Sequence, residues 1–158
     1  MHILRLMQEM PLAPKIIVTQ YDEIQASAPQ YGFLPVINRE PELGISLSLQ
    51  LGLLKALEQE PMLEGVMFGV CDQPYLRASS IMSLIRSFQS SEKSIAALSY
   101  EGIAGNPCIF GKKYYEELLA LTGDVGGRKI IKNHLSDAVL VPAEDAKELI
   151  DIDMKSNV

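Results

Sequence analysis

A chain of 158 residues is long enough for one domain with a buried core, and 47% hydrophobic against 22% charged residues excludes a disordered polymer. A formal net charge of −6 excludes the broad basic surface that nucleic acid or an anionic membrane requires. It still permits a polyphosphate ligand if divalent cations bridge the like charges.

Two cysteines, Cys71 and Cys108, lack C-x-x-C spacing and provide no disulfide framework, which fits a reduced, cytoplasmic setting. No run approaches the ~20 apolar residues of a membrane span, and the first residues lack the pattern of a signal peptide.

In chain order, Ile3, Leu6, Met7 and Met10 recur at helical spacing until Pro11 and Pro14. Lys15–Thr19 reads as a β-branched strand, 21–29 as loop or weak helix, and Leu34–Asn38 as a second strand. From Gly44 a helix places Ile45, Leu49, Leu53, Ala56 and Leu57 on one face, with Ser46 or Ser48 available to cap its first turn. Ile81, Leu84, Ile85 and Phe88 predict another helix. Ile95–Leu98 and Pro107–Phe110 predict two strands separated by a turn region at 102–105. Helices follow around Tyr115–Leu119 and Ile130–Leu135, where His134 reads as structural, and then a strand at Ala138–Val141. This alternation predicts one α/β domain over residues 1–158 with helices on both faces of a sheet.

The run from Val66 to Pro74 carries the most chemical information. Its continuous apolar residues predict a strand covered on both faces, with Cys71 as a small core residue. Pro74 stops the ladder and holds Gln73 extended, so Asp72 is presented at a strand end, where open α/β sheets bind ligands. A single carboxylate there suits magnesium, which shares its shell with water and phosphates. A turn or helix-capping aspartate is the competing reading.

Three stretches together resemble the MobA-like nucleotidyltransferases, and within them the molybdenum cofactor cytidylyltransferase branch. They are Asn38 through Gly44–Ile45–Ser46–Leu47–Ser48–Leu49, then Cys71–Asp72–Gln73–Pro74, then Gly105–Asn106–Pro107 with Gly123–Asp124 and Gly126–Gly127–Arg128. Asn106 stands where that branch usually has histidine, and the tail Asp151–Ile152–Asp153 matches only the start of its last motif. The resemblance implies a Rossmann-like, three-layer α/β/α fold with a mostly parallel mixed sheet. It implies magnesium-dependent transfer of a nucleotidyl group, cytidylyl from CTP, to molybdopterin cofactor with release of pyrophosphate.

The same resemblance implies roles for individual residues. Asp72 is the catalytic metal ligand, with Asp153 and Asp151 completing the site from one face of a last strand. Gly44, Ser46, Ser48 and Gln73 contact the nucleotide. Gly105, Asn106, Pro107, Asp124 and Arg128 contact the acceptor, with Lys129 beside Arg128 as a further basic candidate. Each has a plainer alternative: a solvated acidic tail for Asp151 and Asp153, helix capping for the serines, a hairpin turn for Gly105–Pro107, and caps and a joint for Gly123–Arg128.

The family's glycine-rich phosphate loop is not found in these residues, which implies that a β-loop unit of roughly 30 residues is lacking. The expectation is an N-terminally truncated fold, from a chain cut short or started late, with a naturally short protein as the alternative. Such a fold would have little transfer activity by itself and would self-associate through an exposed sheet edge. Two rivals remain: a non-catalytic module that binds the cofactor, a molybdoenzyme or its chaperone, and a transferase for guanylyl or another nucleotidyl group.

Overall fold

The computed structural model describes residues 2–151. Its helices are α1 (His2–Gln8), α2 (Asp22–Ser27), α3 (Ile45–Gln59), α4 (Ala78–Ser90), α5 (Tyr115–Leu119) and α6 (Gly127–Asn133). Its strands are β1 (Ile16–Thr19), β2 (Leu34–Ile37), β3 (Gly65–Phe68), β4 (Ile95–Tyr100), β5 (Ile103–Gly111) and β6 (Ala138–Pro142). The class is mixed α/β, with strands paired both parallel and antiparallel. No described helix is long and apolar enough to cross a membrane. The chain divides into two compact units, the first from Met1–Met10, Met67–Phe110 and His134 onward, the second from Pro11–Val66 and Gly111–Asn133.

The first unit is built on a sheet of order β3-β5-β4-β6, in which β4 runs antiparallel to β5 and parallel to β6. Helix α4 packs on β4, and its Ile81, Leu84 and Ile85 are buried, as their i, i+3, i+4 spacing predicts. Ile95–Leu98 of β4 are wholly enclosed. Strand β3 differs from expectation: it lies at the sheet edge, and its residues are half-buried rather than covered on both faces. Phe68 holds it to Phe110 through tilted rings 6.1 Å apart.

The second unit pairs β1 with β2 in parallel, from Ile16↔Leu34 to Thr19↔Ile37. Helix α3 covers β1 with Leu49, Leu53 and Ala56 buried. Gly52 lets it come close, since an added Cβ would stand 3.2 Å from Val18 Cγ2. Ile45 was expected on that face but is 44% exposed, because it is the first helical residue and precedes the packed turns. The loop or weak helix expected at 21–29 is α2 followed by a 3-10 turn, Ala28–Tyr31.

Candidate functional site

In the first unit the chain leaves β3 at Phe68 and turns at residues 71–72. Asp72 is exposed at that turn and makes no hydrogen bond or ion pair with the described residues. Cys71, expected in the core, is exposed as well, because β3 ends three residues earlier than its apolar run suggests. Partial desolvation, and then the charge of Asp72, push its thiol up from the usual range, so the thiol stays protonated at neutral pH.

Gln73 turns the opposite way and is only 1% exposed. Its Nε2 donates to the carbonyl oxygens of Asn106 (2.9 Å) and Glu148 (3.2 Å), which fixes the orientation of the amide because both partners are acceptors. Its Oε1 is buried and finds no partner among the described residues.

Glu148 is fully enclosed, and its carboxylate accepts from the backbone N–H groups of Arg77 (3.0 Å), Glu144 (3.0 Å) and Asp145 (3.4 Å). It belongs to a capping box in which Asp145 accepts from Lys147 N–H at 2.9 Å. Arg77 lies over this assembly, 2.9 Å from Glu144, and that hydrogen bond raises its guanidinium pKa still further. Glu148 is absent from the sequence-based candidates, although Asp145-x-x-Glu148 has capping-box spacing that could have revealed it.

Gly105–Asn106–Pro107 is not the hairpin turn that its composition suggests. Glu101 and Gly102 make the turn, with φ of 50° and 79°. The triplet lies inside β5, where the register passes from Ala97↔Cys108 to Ser99↔Ala104. Leu98 alone therefore faces three residues of β5, an enlarged bulge with two extra residues. Leu149 covers Gly105 closely enough that an added Cβ would lie 3.2 Å from its Cδ2.

The second unit brings together Gly44, Ser46 and Asp124. Gly44 caps α3 with φ 93°, and any Cβ there would fall on the carbonyl of Gly123 and 2.6 Å from Asp124 N. Ser46 donates to Gly123 O twice, from its backbone N–H (3.2 Å) and its hydroxyl (2.7 Å). Asp124 Oδ1 accepts from Ile45 N–H at 3.4 Å. Neither Ser46 nor Ser48 caps the helix as expected: no side-chain cap bond forms, and Ser48 accepts instead from Asn38 Nδ2 at 2.9 Å. Arg128 and Lys129 are exposed in the first turn of α6.

The described residues contain no group of three or more His, Cys, Asp or Glu that could hold a metal. Asp72 by itself offers a hard, uncommitted oxygen donor, which fits a cation that keeps water and phosphate ligands but not an all-protein cage. Asp151 is exposed after the 3-10 turn Ala146–Leu149, and the strand expected to align it with Asp153 lies outside the described residues. Asp153 lies outside the described residues.

The MobA-like NTP transferase domain profile matches residues 1–139. No curated protein matches the chain. Among solved structures, the Rv0371c homologue of Mycobacterium sp. strain JC1 is similar at 23% identity and TM-score 0.77, over 98% of this chain and 78% of that one. Rv0371c of Mycobacterium tuberculosis in complex with manganese is 18% identical, with TM-score 0.72, over 98% and 80% of the two chains. A nucleotidyl transferase from Methanothermobacter is 16% identical, with TM-score 0.72, over 99% and 74%. At such identities the likeness is one of fold, Rossmann-like and shared with nucleotidyltransferases.

Proposed function

We propose that this chain, which belongs to the MobA-like NTP transferase domain family, transfers a cytidylyl group from CTP to molybdopterin cofactor. The observation that carries the reading is the exposed, uncommitted Asp72 carboxylate in the turn that follows β3. In the reaction a phosphate oxygen of the acceptor bonds to the α-phosphorus of CTP, and the bond to the β-phosphate oxygen breaks to release pyrophosphate. Asp72, with Asp151 as the second candidate, would hold magnesium, which neutralises triphosphate charge and stabilises the leaving group. Manganese in the complex of the similar Rv0371c supports a divalent cation.

The chain's own residues contribute mainly positioning, as phosphoryl-type transfers require. In the first unit, Gln73 secures the Asp72 turn, and the half-buried Asn106 of the Gly105–Pro107 bulge offers an amide to the acceptor. In the second unit, Gly44 and Ser46 shape the start of α3 through Gly123 and Asp124, while exposed Arg128 and Lys129 are free-standing positive charges suited to phosphate. Ser48, bound to Asn38, serves the nucleotide side through that pair. The two cysteines, one exposed and one buried, suit a reducing cytoplasm. Strand partners on one side only leave β1 and β3 as edges through which copies of the chain would associate.

Pyrophosphate release is the test, measured with CTP, GTP and ATP in turn, with and without molybdopterin, in magnesium or manganese. Release with CTP that depends on molybdopterin is expected, at a low rate for this chain by itself. Faster release with GTP would replace cytidylyl by guanylyl transfer. Molybdopterin binding without pyrophosphate from any triphosphate would overturn the reading in favour of a cofactor-binding module.

A further inference from the structure

Asp72 has no side-chain bond of its own, so its position depends on the chain to either side. Upstream, Gly69 runs close to the bulge of β5, with its Cβ position 3.9 Å from Pro107 Cβ. Downstream, Gln73 is buried and donates to Asn106 O and Glu148 O, in segments 33 and 75 residues away along the chain. The turn is thus tied to the bulge by the Gln73 hydrogen bond and passes beside it at Gly69, with Asp72 between the two. Glu148, the second anchor of Gln73, is itself held by three backbone N–H groups, one of them from Arg77 four residues beyond Gln73.

We infer that Gln73 is a positioning residue for the divalent-cation site: its carboxamide fixes the backbone that presents Asp72 beside the Gly105–Asn106–Pro107 bulge. The inference rests on the reading of Asp72 as a metal ligand. An apolar side chain would fill the same space, but it would leave two carbonyl groups unpaired and give no directional tie. Burial of an amide whose oxygen has no partner among the described residues is a poor solution for packing alone. Directional donors are what a metal ligand needs from its surroundings, because small displacements of the carboxylate weaken coordination.

Manganese titration of the full chain in the presence of CTP, followed by electron paramagnetic resonance with circular dichroism on the same samples, tests this. Asp72→Asn should abolish binding without loss of fold. Gln73→Met, folded, should bind about 10- to 100-fold more weakly. Gln73→Asn keeps the carboxamide but reaches one methylene less far; it should also bind more weakly, and it carries the test if Gln73→Met does not fold. Leu84→Ala, in the enclosed face of α4, lowers stability without touching the turn and should keep wild-type affinity. Wild-type affinity in a folded Gln73 variant, with Asp72→Asn inactive in binding, overturns the positioning role and leaves the metal ligand standing. Wild-type affinity in Asp72→Asn, or no binding by the unaltered chain, overturns both.

Discussion

The two polar clusters meet the same demand by opposite means. In the second unit, Gly44, Ser46, Gly123 and Asp124 form a closed clasp: the first N–H groups of α3 are satisfied by the chain itself, and one glycine hydrogen decides whether the parts fit. In the first unit, Gln73, Asn106 and Glu148 form an open frame: the bonds hold a turn in place, yet they leave an exposed carboxylate and an unsatisfied buried acceptor. Motifs that look alike on paper, short glycine-and-acid stretches, thus divide into a part that fastens the start of a helix and a part that holds a turn bearing an exposed carboxylate. The frame leaves a buried amide oxygen without a partner among the described residues, whereas the clasp satisfies the N–H groups it encloses.

That contrast can be broken most sharply at Gly44. Gly44→Ala adds a left-handed backbone penalty to a collision with backbone atoms, and it should destabilise the chain by about 2–5 kcal/mol in urea unfolding. Unchanged stability would mean that the clasp is looser than described. Asp72→Asn should do the reverse, leaving the unfolding midpoint in place while lowering metal-dependent pyrophosphate release at least about a hundredfold. Normal release at saturating magnesium would make Asp72 an ordinary turn residue.

Glu148→Gln sharpens the account of the frame. It sets an amide against backbone N–H donors and should cost about 1–3 kcal/mol, with the loss visible as faster hydrogen exchange around residues 73–77 and 144–148. Exchange unchanged there would remove Glu148 from the frame. The smallest effect belongs to Asp124→Asn, which weakens one long, exposed bond at the start of α3. A change of about 0.5 kcal/mol is expected, and a loss several times larger would show that the carboxylate has a second partner.

Helices were legible where their apolar spacing was long and regular: α4 lies where Ile81, Leu84 and Ile85 put it, and α3 starts at the glycine that marks it. The capping of α3 was not legible, because the residues that satisfy its first N–H groups stand 77 and 79 positions away in sequence. Local propensity favours Ser46 or Ser48 as the cap, and only tertiary structure reveals that Gly123 and Asp124 take over. The bulge was misread for a related reason. Gly-Asn-Pro has turn composition, but Glu101–Gly102 already supplies the positive φ angles that the hairpin needs. The Val66–Cys71 run suggests a fully covered strand because apolar runs do not record whether a strand is central or at an edge. The exposure of Asp72 past a strand is legible from its proline-terminated run alone, whereas the inward turn of Gln73 depends on Asn106 and Glu148, which only the fold brings to it.

The bulge in β5 has a bearing on how this hairpin could change. It places three residues opposite one, an insertion of two, and side chains along a strand alternate with a period of two. Every residue on either side of the bulge therefore keeps the face it would have in an uninterrupted strand. A single-residue insertion would have turned half of the strand inside out. The bulge can therefore gain or lose residues in pairs without disturbing the alternation of the strand on either side.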